Sequence, residues 1–336
     1  MKAQRLNEIL ERAKAKRLLV IGDLMLDEFV WGKVGRISPE APVPVVEVSG
    51  ESFYPGGAAN VARNLCGFIS KVAVIGMFGS DRGGGQLCQL LAEQKIDTAA
   101  AIEDASFATI VKTRIIARNQ QIVRVDREQL RSPSPAHVAR VVASVRRRLA
   151  KTDAIIFEDY GKGFLSPELV RKICDQARDA GKIVTGDPNP DHPIKWKRVM
   201  AVTPNRNEAF LAAGLPSSDP VEPPIKDKPL LKAGKILLKK WQTKLLLITL
   251  GEHGMMLFER GKKPHHIPTK AREVFDVSGA GDTAIALFTL ALCCDATAVE
   301  AAEIANHASA VVVGKVGTAT VTREELVASF QNDGAA

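Results

Sequence analysis

Asp282 is the residue whose type and setting point most directly to chemistry. It lies in the stretch 273–283, where Gly279-Ala280-Gly281-Asp282-Thr283 follows Val274, Phe275 and Val277. The three apolar residues suit a strand end, and Gly279 and Gly281 permit a tight turn. From Thr283 onward the sequence is apolar and helix-competent. A helix N-terminus presents unpaired backbone N–H groups backed by the helix dipole, which makes it an anion site. A carboxylate at the mouth of such a site is electrostatically misplaced unless it handles a proton or a metal. Phosphoryl transfer reconciles the two: the turn holds the moving phosphoryl group and Asp282 takes the proton of the acceptor. The alternative is a capping acid in an ordinary strand–helix connection.

The elements that must position this turn alternate. Residues 17–23 are an apolar run ending in Gly22-Asp23, as a buried parallel strand delivering a loop would be. Similar runs at 72–76, 154–158, 183–187, 199–204 and 245–250 are interleaved with helical patterns, among them 81–94, 134–149, 167–180, 205–213 and 233–241. The polar, proline-rich 217–229 reads as a surface loop. Such alternation gives a mainly parallel sheet with helices on both faces, and sites in such sheets lie beyond the strand C-termini. Asp23, Asp159, Asp187, Asn205 and Gly251 all fall there. Gly56 and Gly57 read as a turn before a helix that carries Asn60 and Asn64 on one face. Residues 25–48, and 109–125 with a hairpin bend at 118–121, depart from the alternation and look like insertions forming a small β lid. Helices at 283–293 and 299–313 close the core, and 332–336 reads as a disordered tail.

The 336 residues suffice for one large α/β domain or two ordinary ones, and 46% hydrophobic with 25% charged content is that of an ordinary soluble fold. A net charge of +8 suits an anionic small substrate and also weak nucleic-acid binding. Arg146, Arg147 and Arg148, and the lysines of 226–240, lack interleaved aromatics and read as solvated faces, so no nucleic-acid partner is expected. Five cysteines in no metal or redox spacing point to a reducing cytoplasm. Without a signal-like segment or a bilayer-length apolar run, no membrane partner is expected. His192, His253, His265, His266 and His307 show no metal spacing.

With Gly56-Gly57-Ala58-Ala59-Asn60 near the start and Asp276-Val277-Ser278-Gly279-Ala280-Gly281-Asp282 near the end, the chain resembles the ribokinase-like (PfkB) carbohydrate kinases. Asn205-Arg206-Asn207-Glu208 and Thr249-Leu250-Gly251 match two further motifs of that family. Residues 22–27, 35–45 and 117–121 are similar to the bacterial heptose 7-phosphate kinases of lipopolysaccharide precursor synthesis. The resemblance implies a three-layer α/β/α fold with a β-sheet lid, and a single kinase domain over 1–336. The lid insertions are expected near 28–48 and 109–125, without the adenylyltransferase domain fused to many of these kinases.

The implied reaction moves the ATP γ-phosphate to the C1 hydroxyl of heptose 7-phosphate. Asp282 is then the general base, and the amides of Gly279, Ala280 and Gly281 stabilise the phosphoryl charge. Asp23, Asp27, Gly56, Gly57, Asn60 and Asp187 are expected to hold the sugar. Lys112, Arg114, Arg118, Arg124 and Lys162 are the candidates for its phosphate, each against a solvated alternative. Asn205 and Glu208 are expected to organise Mg2+ and its waters, an assignment compatible with their also forming a helix cap. Thr249, Gly251, Gly254, Asn306 and Ala310 are the nucleotide candidates, with His307 a candidate neighbour of adenine. Asp276 and Ser278 would hold a monovalent cation such as K+. Pairing of two lids, with Trp31 packed on the partner's, gives an expected homodimer. Two departures stand out: Ala284 where the family usually has Phe, and Asn189 where a Lys is common. A kinase for another sugar or sugar phosphate, of ribokinase or fructokinase type, and a non-catalytic sugar or nucleotide sensor on the same fold are the competing readings.

Overall fold

The structure is a computed structural model that describes residues 1–118, 120–192, 194–271 and 274–333. Helix α1 (Ala3–Ala13) is followed by strands β1 (Arg17–Gly22), β2 (Leu24–Ile37) and β3 (Pro44–Gly57), then helix α2 (Ala58–Cys66). Next come β4 (Lys71–Ile75), β5 (Met77–Phe78), α3 (Arg82–Glu93), β6 (Ile102–Glu103), β7 (Ile110–Ala117) and β8 (Gln120–Arg127). The middle of the chain forms α4 (Pro135–Arg148), β9 (Ala154–Glu158), α5 (Pro167–Asp179), β10 (Ile183–Asp187), β11 (Ala201–Val202) and α6 (Arg206–Ala213). The remainder is α7 (Lys228–Trp241), β12 (Leu245–Thr249), β13 (Met255–Glu259), β14 (His265–Ile267), α8 (Ala280–Cys293), α9 (Ala298–Val313) and α10 (Arg323–Asp333).

The main sheet has the order β14-β13-β12-β11-β10-β9-β1-β4. Its strands run parallel from β4 to β12, while β13 and β14 are antiparallel. Strand alternation divides the core between two layers. Leu18 and Val20 of β1 pack with α1, α2, α8 and α9, whereas Leu19 and Ile21 pack with α4 and α5. Both faces are thus covered, which is why β1 and β9 are apolar almost throughout. The expected three-layer α/β/α arrangement is present.

A second sheet has the order β3-β2-β7-β8. Its strands come from 24–57 and 110–127, somewhat wider than the expected insertions. β2 and β3 pair antiparallel from Leu24↔Gly57 outward, and β2 pairs parallel with β7. Every residue of β8 is exposed.

Several local expectations are corrected. Val274, Phe275 and Val277 form no strand and are 59%, 64% and 69% exposed. The segment is tied by Phe275 N–H to Val313 O and Ser278 N–H to Asp276 Oδ1, not by strand pairing. Glu273 lies outside the described residues. Helix α8 begins at Ala280, not Thr283, which puts Asp282 inside its first turn. Gly56 and Gly57 are the last residues of β3 and not a free turn. The expected strand at 199–204 reduces to Ala201–Val202. Helix α7 starts inside the expected loop, because Asp227 caps it by accepting from Leu230 N–H and Pro229 is tolerated in a first turn. Asn332 and Asp333 end α10, and 334–336 lie outside the described residues.

Candidate active site

The start of α8 is built around Gly279. Its φ of 78° is open to glycine, and a Cβ there would stand 2.7 Å from Asn60 Nδ2. The missing side chain lets Asn60, from the first turn of α2, reach across to Asp282. Asn60 Nδ2 donates to Asp282 Oδ2 at 2.6 Å, and the Tyr160 hydroxyl donates to Oδ1 at 2.9 Å. Asp282 is 4% exposed. Burial pushes its carboxyl up to about 6, with the Asn60 and Tyr160 hydrogen bonds pulling the other way and Asp27 repelling it. The turn and the acid therefore occupy one place, as expected. Of the three expected anion donors, the Ala280 amide is already directed to Val277 O at 3.2 Å. That leaves Gly279 and Gly281 as the amides of that set with room for an anion.

The acids around this turn divide into two kinds. Asp23 accepts the backbone N–H groups of Tyr160, Lys162 and Phe164, each at 3.0 Å. Its carboxylate organises the loop after β9, with three amides on its acceptor sites. Asp27, by contrast, faces Gly56, where a Cβ would lie 2.5 Å from its Oδ2, and pairs with Arg114 at 2.5 Å. Asn64 donates to Asn60 O and accepts from Thr283, which makes it a brace between α2 and α8. Asp187 faces the first turn of α8; a side chain at Gly281 would come 3.7 Å from its Oδ2. Burial, then repulsion from Glu208 and Asp282, holds the Asp187 carboxyl well above its usual range. Glu158, at the adjacent strand end, is likewise raised by burial and by Asp187 and Asp282, and its Oε2 has no hydrogen-bond partner.

Lys112, Arg114, Arg124 and Lys162 are ion-paired. Lys112 pairs with Asp126 at 3.1 Å and Glu128 at 3.4 Å, and Lys162 pairs with Glu128 at 2.8 Å. Arg124 pairs with Asp126 at 2.8 Å and is half exposed. Arg118 sits exposed at the β7–β8 bend with φ 49°. Lys112, Lys162 and the two missed acids Asp126 and Glu128 thus form one network. Arg124 joins that network through Asp126, while Arg114 pairs with Asp27.

The nucleotide candidates converge. Thr249, Gly251, Gly254, Asn306 and Ala310 line one cavity of about 560 Å3, together with Ala280 and Gly281 of the α8 turn. Asn306 Nδ2 donates to Pro268 O at 2.7 Å, which holds the cavity wall. His307 is corrected: its ring stacks on Phe330 and bonds Ser329 Oγ, away from that cavity. Asn205 and Glu208 form a capping box at α6, and Asn205 bridges to Thr249 beside the cavity. Trp31 stacks on Phe29 and donates to Ser52 Oγ within its own lid.

Among the described residues no three His, Cys, Asp or Glu side chains converge to hold a metal by themselves. The chemistry of the set nonetheless fits a hydrated divalent cation. Glu158, Asp187 and Glu208 repel one another, and the Glu158 oxygen is orphaned. A Mg2+ that keeps several waters would relieve both. Asp276 is occupied as a loop brace, accepting from Ser278 N–H at 2.9 Å and Gly317 N–H at 3.2 Å.

Tyr160 and Glu158 were missed in the sequence. The Asp159-Tyr160-Gly161-Lys162 loop was legible as a strand end, but a lone Tyr or Glu carries no spacing signal. Asp126 and Glu128 were missed because opposite charges on facing strands look like solvated faces in one dimension.

Residues 15–325 match the profile described as pfkB family carbohydrate kinase. The bifunctional protein HldE of Citrifermentans bemidjiense is 42% identical over 328 residues, covering 98% of this chain and 66% of that protein. The HldE of Helicobacter hepaticus is 43% identical over 316 residues, covering 94% and 64%. The chain thus spans slightly under two thirds of the length of these curated relatives. Among solved structures, Arabidopsis thaliana ribokinase complexed with ribose and ATP superposes with a TM-score of 0.71 at 17% identity, covering 94% of this chain and 99% of that one. Phosphofructokinase-2 from Escherichia coli in complex with potassium gives 0.74 at 16% identity, covering 94% and 98%.

Proposed function

The chain belongs to the pfkB family of carbohydrate kinases, and from that premise we propose that it phosphorylates D-glycero-D-manno-heptose 7-phosphate at C1 to give the 1,7-bisphosphate, serving ADP-heptose and lipopolysaccharide core synthesis. ATP-dependent sugar phosphorylation is the family's activity; the sugar and the residue roles are our reading. The observation that carries it is the junction of a buried carboxylate, Asp282, with the Gly279–Gly281 turn that opens on the cavity lined by Thr249, Gly251 and Gly254. The heptose assignment is supported by the resemblance of 22–27, 35–45 and 117–121, and by relatives named HldE over 98% of the chain.

Asp282 acts as the general base toward the C1 hydroxyl, and the turn amides stabilise charge on the phosphoryl group. Asp27, Gly56, Gly57 and Asn60 hold the sugar, with Asp187 behind them. Lys112 and Lys162 hold the 7-phosphate, and Arg114 orients Asp27. Glu208, through water, would hold Mg2+, which supplies charge neutralisation on the nucleotide phosphates. A monovalent cation at Asp276 and Ser278 would brace the turn from behind. Residues 15–325 work as a kinase domain in the cytoplasm.

A coupled ADP-release assay across sugars and sugar phosphates tests the reading. Heptose 7-phosphate should give the highest kcat/KM, and Asp282→Asn should lower kcat by about 10²–10⁴-fold with KM for ATP little changed. Preference for an unphosphorylated pentose or hexose would sink the heptose assignment. Near-wild-type turnover in Asp282→Asn would sink the base assignment.

A further inference from the structure

We propose that Tyr160 is the positioning residue of the base: its phenol, together with the Asn60 amide, fixes the Asp282 carboxylate so that Oδ1 meets the acceptor hydroxyl. The inference rests on the reading of Asp282 as the base.

Three observations carry it. Each carboxylate oxygen is held by one neutral donor, Oδ1 by the Tyr160 hydroxyl at 2.9 Å and Oδ2 by Asn60 Nδ2 at 2.6 Å. The donors come from separate elements, α2 and the loop after β9. Tyr160 is itself anchored, because Asp23 at the end of β1 accepts its backbone N–H and those of Lys162 and Phe164. A main-chain clamp of three bonds thus sets where the phenol points.

The surroundings decide the direction of the bond. Burial, Asp282, Glu158 and Asp187 all disfavour the phenolate, so Tyr160 stays a donor and does not compete for the acceptor's proton. The charged groups facing this corner are Asp27 from β2, Glu158 from β9 and Asp187 from β10, with Arg114 of β7 engaged behind Asp27. The nearer charges are acidic and would drive Asp282 toward its protonated, inactive form. The two neutral donors oppose that, and they leave lone pairs on Oδ1 open.

In the transfer step the acceptor O–H bond breaks and its proton passes to Asp282 Oδ1. The acceptor oxygen bonds the γ-phosphorus while the bond from that phosphorus to the β–γ bridging oxygen breaks, its electron pair leaving with ADP. The Tyr160 proton stays on the phenol, and Asp282 later releases its own to solvent.

The test is Tyr160→Phe in the full chain, assayed with ATP and heptose 7-phosphate. The Asp282 carboxyl is also titrated by 13C resonance without substrates. The variant should lose roughly tenfold or more in kcat, as for one hydrogen bond to a charged group, with KM for ATP unchanged. The acidic limb of kcat/KM and the carboxyl titration should both move up by about one pH unit, because a donor to the ionised form is gone. A variant that only melts lower, with limb and titration unmoved, overturns the proposal. If Tyr160→Phe does not fold, 3-fluorotyrosine in place of Tyr160 keeps the ring and strengthens the donor. The limb should then move to lower pH, and an unmoved limb overturns the proposal. An inactive Asp282→Asn beside a Tyr160→Phe of wild-type limb and titration overturns this proposal alone. Near-wild-type turnover in Asp282→Asn overturns the base reading and this proposal with it.

Discussion

A buried carboxylate that must ionise to work weakens the fold that holds it. Asp282 has its carboxyl raised from 3.8 to about 6, chiefly by burial. Between those values the folded chain keeps a proton that the unfolded chain has lost. Stability therefore falls as pH rises through this window, and the ionised group opposes folding by about 3 kcal/mol above it. Asp282→Asn removes the charge but turns an amide donor toward one of two existing donors, which offsets part of the gain. The variant should be more stable than wild type by about 1–2 kcal/mol at pH 7.5 and less stable by roughly 0.5–1.5 kcal/mol near pH 4, where the misplaced amide remains but the charge penalty is nearly gone. Calorimetry at the two pH values checks this; an equal gap at both would show that the charge is not the cause. The same trade, stability against a usable base, explains why Asp282 needs donors from both Asn60 and Tyr160.

Among the elements, the lid hairpin β7–β8 is joined to the core by a carboxylate. Glu128, just past β8, pairs with Lys112 on the lid and Lys162 on the loop after β9. A bound sugar phosphate would compete with Glu128 for the same two cations. Glu128→Gln should therefore lower KM for the sugar phosphate by roughly two- to fivefold, the scale of one or two modest ion pairs, while KM for ATP stays put. A higher KM for the sugar phosphate would mean that Glu128 orders the cations instead of masking them. The Asp23 clamp acts at the same level, since it sets one loop that carries both Tyr160 and Lys162.

For the whole molecule, the second sheet leaves β8 exposed along its length, with Ile122, Val123 and Val125 at 39%, 45% and 42% exposure. Ile37, Val43 and Val48, from the β2–β3 end, are 61%, 52% and 59% exposed. An open apolar strand edge invites a partner, and we propose a homodimer through the lids. Sedimentation at micromolar concentration should give a dimer that Val123→Lys with Val125→Lys converts to monomer. A wild-type monomer under those conditions would remove the proposal. The basic runs lie on α4 and α7.

What the sequence determined by itself was local and periodic. Apolar runs of strand length and their alternation with helical patterns sufficed for a mainly parallel sheet covered on both faces and for Asp282 beside a glycine turn; the set that lines one cavity came from the family resemblance of the motifs. The sheet and the turn are legible because backbone propensity and burial act over a few neighbouring residues. Tertiary structure decided the rest. Asp23 follows β1 and Asp27 lies four residues on, inside β2, yet one faces three amides and the other faces Gly56 and Arg114. Val274, Phe275 and Val277 favour a strand, yet their segment is tied to Val313 and Asp276 and not by strand pairing. Tyr160 meets Asp282 across 122 residues. Which carboxylate is held by amides, which by a phenol and which by a guanidinium depends on long-range placement, and hydrogen-bond partners of that kind leave no period in a sequence.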